Sequence, residues 1–337
     1  MAIEWKMINL VFSLCVALTI GLSIGYYLGQ TIQNPLLNIT YLNLHHTHQR
    51  SPLLGVHVNV IDLHTKILSN FTCMKLKKLL DSFETSVCIY DVRRDIYVSG
   101  TIVSQKIWEE NFVTKFVTIL NKYPEYAMID VGANIGVYTL YALALHRPTI
   151  SVECYKPNIE RIVRASQIEN VSKHLTLIGN AIYNRSGEFF KLSKDDINVG
   201  GQGLTVNGTM QQASSMADQF TVSTIRFDDL LPLFIDRQIE NAIMKVDIQS
   251  SENFLCASGE KIFDSINIPF ILMEWVDIKW ITNRADFIID FFIQRDYFPV
   301  STYNCQILNH TTSNYTTWGT PHDIYWIKSN YYHLCRL

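Results

Sequence analysis

Apolar and polar residues follow one another along the chain with several distinct periods. From Leu10 to Leu28 there is no charged residue, and at about 1.5 Å per helical residue that run matches the hydrocarbon thickness of a bilayer. Residues 29–84 are mixed and weakly periodic, with one stretch, KILSNFTCMKLKKLLDSF, whose spacing predicts a helix. Ile107, Phe112, Phe116 and Ile119 then recur as on one face of an amphipathic helix. Beyond them the strand-like runs AMIDV, TISVE, LTLIGNAI, AIMKVDI and FILMEW alternate with helix-like segments. Such alternation predicts an α/β fold, a mostly parallel sheet with helices on both faces. The expected organisation is a cytosolic tail at 1–9, a transmembrane signal anchor at 10–28, a lumenal stem at 29–84 and a globular domain at 85–337.

Charge decides the orientation of the N-terminal run. Lys6 and the amino terminus are the nearest positive charges before it, and none follows until Arg50, so the short tail is expected in the cytosol. Trp5, Tyr26 and Tyr27 flank the run where amphipathic rings favour the interface. The rival is a cleaved signal peptide, for which Gly21, Ser23 and Gly25 are small enough, although the run is longer than a usual apolar signal core. Either way the remainder enters the secretory lumen, and the anchor reading makes a single-pass type II protein of the Golgi or endoplasmic reticulum. Ala17, Gly21, Gly25 and Gly29 stack on one helix face, which permits a homodimer through close backbone approach or reflects the glycine common in membrane helices.

Asparagines in N-x-S/T sequons agree with a lumenal placement: Asn38, Asn70, Asn170, Asn184, Asn207, Asn309 and Asn314. Apart from Cys15 the cysteines are even in number, as an oxidising compartment favours. Cys73 with Cys88 and Cys305 with Cys335 are the expected pairs, though sequence leaves connectivity open. The HHTH run at His45, His46 and His48 reads as a solvated stem or a metal-binding tract. With 337 residues, 48% of them apolar, the chain can bury a substantial core. A net charge of −3 gives no footprint for nucleic acid.

Candidate chemistry begins at Asp130, where the first strand-like run stops. Gly132, Asn134 and Gly136 make the following turn, the place in such sheets that approaches a ligand most closely. The dinucleotide fingerprint G-x-G-x-x-G fails, because Asn134 and Val137 stand where it needs glycine. An oxidoreductase is therefore disfavoured. What remains is an acid ending one strand, a small-residue loop, and Glu153 ending the next strand, where a carboxylate can accept both hydroxyls of a ribose. That set suits S-adenosylmethionine, whose amino-acid end offers an ammonium to Asp130 and a carboxylate to the loop amides.

Over about residues 85 to 330 the chain resembles the FkbM-family methyltransferases: IDVGANIGVYTL, SVECYKPN, KVDIQSSE, and then FILMEW and DYFPVS, fall in that family's order. The resemblance implies a class I methyltransferase fold and methyl transfer to a hydroxyl oxygen. It places Asp130, Gly132, Asn134, Gly136 and Glu153 at the cofactor, with Asn180 as a candidate for the adenine edge. Where the family has glycine after Lys-x-Asp-x-Gln this chain has Ser250, which puts the turn and the acceptor in question.

An alcohol needs its proton drawn away before it attacks, so a carboxylate or a metal is expected at the acceptor; which one, the sequence leaves unknown. Asp247 and Glu252, past the fourth strand, and Glu274, ending the fifth, are the candidates, with Lys245 as a partner for one of them. Each acid is also readable as a helix cap or a structural ion pair. NVGGQGLT at 198–205 reads as a lid over the acceptor or a hairpin turn, and Trp275, Trp280 and Trp318 as sugar platforms or core. The composite reading is a lumenal methyltransferase acting on a glycan or small-molecule hydroxyl. Its rival is a lectin-like or cofactor-binding module that kept the fold without the chemistry.

Overall fold

The computed structural model describes residues 54–195, 197–206, 209–216, 218–309, 314–319 and 322–337. The apolar run at 10–28, its small-residue stripe, HHTH, Asn38 and Asn207 lie outside these residues. Among the described residues no helix is long and apolar enough to cross a membrane.

Seven strands form the main sheet: β1 (Ala127–Val131), β2 (Thr149–Val152), β3 (Leu175–Ile178), β4 (Asn241–Val246), β5 (Asn267–Glu274), β6 (Tyr297–Ser301) and β7 (Asp323–Lys328). Their order is β6-β7-β5-β4-β1-β2-β3. The five from β5 to β3 are parallel, and β7 runs antiparallel between β5 and β6. From β1 the chain moves outward to β2 and β3, then returns to lay β4 on the other side of β1. The switch point of this Rossmann-like α/β sheet therefore falls between β1 and β4.

Successive residues of each strand enter different cores, as a sheet covered on both faces requires. Met128, Ile243, Phe270 and Leu272 join Phe116, Leu140 and Ile162 on one side. Ile129, Met244, Ile271 and Met273 join Leu255, Phe263, Ile288 and Phe292 on the other. The helix expected around Phe112 and Phe116 spans Glu110–Lys122, so Ile107 lies ahead of it, fully buried in the preceding loop. A second sheet of five short strands holds residues 181–182, 189–191, 205–206, 209–213 and 221–225.

The stretch KILSNFTCMKLKKLLDSF is not helical. Thr72–Lys75 is a strand paired antiparallel with Ser86–Ile89, and Leu79 bridges Phe83 in a tight turn. Cys73 and Cys88 stand directly opposite in this pair and are joined by a disulfide. The second expected pair, Cys305–Cys335, is also a disulfide, while Cys154 and Cys256 are free. Residues 54–84 are accordingly part of the globular unit rather than a stem: Val58, Leu63, Leu76 and Leu79 are buried in its cores. The sequon asparagines that are described, Asn70, Asn170, Asn184, Asn309 and Asn314, are all exposed.

Candidate functional site

The loop after β1 is fixed by its backbone. Gly132 has φ +82° and a Cβ there would sit 1.8 Å from the Asp247 carbonyl oxygen, so the ends of β1 and β4 touch through a glycine. Asn134 is left-handed at φ 52° and its N–H donates to Glu153 Oε2 at 2.7 Å. Tyr155 N–H donates to Glu153 Oε1 at 2.8 Å. Each carboxylate oxygen has a second lone pair, so Glu153 binds the loop and still has acceptor capacity. Burial pushes its carboxyl up to about 7 against the pull of those two amides.

Gly132, Asn134, Glu153 and Asn180 line one cavity, together with Tyr155, Asn158 and Asp247. Including solvent at its mouth it encloses about 650 Å³. Within 198–204, Val199, Gly200, Gln202, Gly203 and Leu204 form its roof, with a short 3-10 turn at Val199–Gly201. NVGGQGLT is thus cavity wall: Gly200 rests against the Asn134 side chain, where a Cβ would come within 2.4 Å of Nδ2.

Two cofactor candidates do other work. Asp130 is absent from the cavity wall; its Oδ2 accepts from Thr139 N–H at 3.1 Å and Thr139 Oγ1 at 2.6 Å, which satisfies an otherwise unpaired N–H in the first turn of the helix Val137–Ala144. Burial raises its carboxyl despite nearby Lys245. The Asn180 side chain reaches the wall with both amide hydrogens engaged and one acceptor position of Oδ1 left. Oδ1 accepts from Asn59 N–H, and Nδ2 donates to His57 O and to Ser223. It has no free amide for a nucleobase.

A second cavity, about 1110 Å³ with the solvent at its mouth, opens on the other side of Asn134. Asn134, Gly200, Asp247 and Gln249 line both cavities and so form their shared wall. The register of the sheet sets three acids side by side beyond its carboxyl edge. Val246 pairs with Met273, which puts Asp247 next to Glu274, and Glu274 pairs with Asp323. Asp247 Oδ2 accepts from Lys245 Nζ at 3.1 Å and Oδ1 from Gln249 Nε2 at 2.8 Å. Burial works against its charge, but Lys245 and these hydrogen bonds hold Asp247 below its ordinary range.

Adjacent carboxylates in a desolvated row do not all ionise. Burial and then the Asp247 charge push Glu274 up to about 11, and burial with the Glu109 and Asp247 charges raises Asp323 well above its ordinary value. Lys245 is held charged: burial opposes it, and Asp247, Asp130 and Glu109 outweigh that. Lys245, Asp247 and Glu274 therefore come together as the sequence suggested. Glu252 does not join them. It starts the helix Glu252–Ser258 and its Oε1 accepts from Ile248 N–H at 3.0 Å, clasping the loop, while burial pushes its carboxyl up to about 8.

The second cavity also holds residues that sequence reading did not select: Glu109, Tyr138, Gln249 and Asp323. Glu109 has the left-handed φ of 52° and accepts from Tyr138 OH at 2.8 Å; burial raises its carboxyl. Ser250 occupies a position with φ 67°, where glycine is at ease and another residue costs about 1–2 kcal/mol. Its carbonyl accepts from Arg284 Nη1. Trp275 and Trp318 are core residues, stacked at 5.8 Å, and Trp280 is exposed. Among the described residues no group of three or more His, Cys, Asp or Glu side chains is placed to hold a metal ion.

No protein-family model matches the sequence, and no curated protein does. Among solved structures the chain is similar to a precorrin-6Y C5,15-methyltransferase of Geobacter metallireducens at 10% identity and a TM-score of 0.33, over 66% of this chain and 90% of that one. It is likewise similar to a Pyrococcus horikoshii protein provisionally assigned as an RNA methyltransferase, at 10% identity and a TM-score of 0.32, over 65% of this chain and 82% of that one. Likeness at that level carries no argument about this chain.

Proposed function

We propose that this chain is a class I, S-adenosylmethionine-dependent methyltransferase that methylates a hydroxyl oxygen on a glycan in the secretory lumen. The observation that carries the reading is the pair of cavities meeting at the switch point across Asn134 and Asp247. One has a buried carboxylate at the end of β2 and a glycine loop at the end of β1, which fits the ribose and amino-acid end of the cofactor. The other is open, polar and acid-lined, which fits an acceptor.

When bound, S-adenosylmethionine supplies an electrophilic methyl group on a sulfonium leaving group. Glu153 accepts from the ribose hydroxyls while keeping the loop amides of Asn134 and Tyr155. Asp247, ionised beside Lys245, accepts the hydrogen bond of the acceptor hydroxyl and aims its oxygen across the shared wall. The hydroxyl proton passes to the Asp247 carboxylate, the member of the row that Lys245 keeps ionised, the O–H bond giving way as the O–C bond forms and the C–S bond of the sulfonium breaks. The 198–204 roof keeps water from the cofactor side.

Glu153→Leu tests the cofactor assignment. It leaves two ribose hydroxyls unpaired in a desolvated site, so calorimetry should show S-adenosylmethionine binding at least tenfold weaker (about 1.4 kcal/mol) with the fold intact by circular dichroism. Because the Glu153 carboxyl is held up to about 7, parental affinity should also rise with pH through that value, as the carboxylate form gains acceptor capacity. Undiminished affinity in Glu153→Leu rejects the site.

The compartment rests on separate support: exposed sequon asparagines, two disulfides, and the uncharged run at Leu10–Leu28 with its positive flank. A type II anchor predicts that an N-glycosidase shifts the mobility of the full-length protein while carbonate leaves it in the membrane fraction. A protein that shows no shift and washes off is not anchored in this way.

A further inference from the structure

Residues 57–61 lie along the outer edge of β3. Ile61 N–H donates to Leu177 O at 2.8 Å, Val60 bridges Ile178 antiparallel, and Gly179 N–H donates to Asn59 O at 2.8 Å. Asn59 N–H donates to Asn180 Oδ1 at 2.7 Å, and Asn180 Nδ2 donates back to His57 O at 3.2 Å. Packing is equally tight. A Cβ on Gly179 would fall 2.6 Å from Asn59 Nδ2, one on Gly187 2.6 Å from the His57 ring, and Val58 is fully buried.

The loop leaving β3 is held between this segment and the first cavity, whose wall includes Asn180, Ala181 and Ile182. β3 stands two strands, about 10 Å, from β1. That distance puts Asn180 at the end of the cavity away from Asp247, where the nucleobase lies if the methyl group is at the shared wall. Asn180 spends its side chain on the strap and on Ser223, so its hydrogen bonds fix the loop rather than read a ligand.

We propose that residues 57–61 are a strap that positions the nucleobase end of the cofactor cavity through Asn180, so that cofactor affinity depends on a segment outside the α/β sheet. The inference rests on the methyltransferase reading above. Asn59 and Ile61 are positioning residues: they touch the wall, not the ligand.

The test is calorimetry on the full chain with S-adenosylhomocysteine and with 5′-methylthioadenosine, which shares the adenosine but has no amino-acid end. Proline carries no N–H, so Asn59→Pro removes the Asn180 contact by construction. Affinity for both compounds should fall by the same factor, at least tenfold, with unchanged stoichiometry. General damage to the fold would instead lower the stoichiometry of binding and leave the dissociation constant of the folded fraction unchanged, and that result overturns the strap. If Asn59→Pro does not fold, Ile61→Pro, which removes the bond to Leu177 O, carries the same expectation. Parental affinity in a folded variant overturns the strap alone; a parent that binds neither compound overturns the reading beneath it as well.

Discussion

Gly132→Ala will destabilise the protein by about 3 kcal/mol or more, combining a left-handed φ for alanine at roughly 1–2 kcal/mol with overpacking at roughly 1–3 kcal/mol. A Cβ placed 1.8 Å from the Asp247 carbonyl oxygen meets backbone at the end of β4, which has no rotamer to change. Gly136→Ala is the internal control. Its φ of +90° carries a similar penalty, but its Cβ meets a side-chain atom, Ile162 Cγ1 at 2.9 Å, against backbone at 1.8 Å for Gly132, so a smaller shift relieves it. Thermal unfolding should rank the two, with Gly132→Ala lower by several degrees, at about 2–4 °C per kcal/mol for a domain of this size. Because the displaced carbonyl belongs to Asp247, cofactor and acceptor cavities should both suffer. Equal melting temperatures for the two variants would show that the β1–β4 contact relaxes freely.

The parallel strands were legible because a strand buried on both faces is a near-continuous apolar run, as in AMIDV and FILMEW, and because TISVE and AIMKVDI keep short β-branched or apolar stretches that end on an acid. KILSNFTCMKLKKLLDSF misled for the opposite reason. Leu76, Leu79, Leu80 and Phe83 recur with a near-helical spacing, yet Leu76 is buried just past the strand Thr72–Lys75, its N–H donating to Thr85 O, and Leu79 from a tight turn. The disulfide to Cys88 and the pairing with Ser86–Ile89 are contacts with later chain, and they override local preference.

Glycines and acids at strand ends located the site but did not fix each side chain's direction. Asp130 and Glu153 both end a strand; Asp130 turns to the Thr139 amide of the helix behind it, and Glu153 faces the cavity. Asp247 and Glu252 lie close in sequence, yet one lines both cavities and the other folds back to Ile248 N–H. Glu109 and Asp323 were missed because each reaches the site through tertiary placement. Glu109 precedes a helix distant from any strand end, and Asp323 begins the antiparallel strand inserted between β5 and β6. The left-handed φ of Glu109 is visible only in the fold.

Ser250, the departure from the pattern the resemblance implies, sits at φ 67° with its carbonyl accepting from Arg284 Nη1, a contact that fixes the turn but does not separate an enzyme from a binding module. Asp247 then decides between enzyme and binding module. Asp247→Asn keeps size and most hydrogen bonding, and removes the one charge in the acid row that Lys245 holds ionised. S-adenosylmethionine should bind within a few fold of the parent, since Glu153 and the β1 loop are untouched. Methyl transfer to glycans of a lumenal extract, followed by mass spectrometry, should fall by about 10²- to 10⁴-fold, the usual cost of removing a group that orients or takes the transferred proton. If Asp247→Asn turns over like the parent, the Lys245–Asp247 pair is structural. Glu109, raised by burial and open to the same cavity, then becomes the carboxylate that takes the proton. A parent that binds the cofactor and methylates nothing in that extract would instead support the binding module, whatever the state of Asp247.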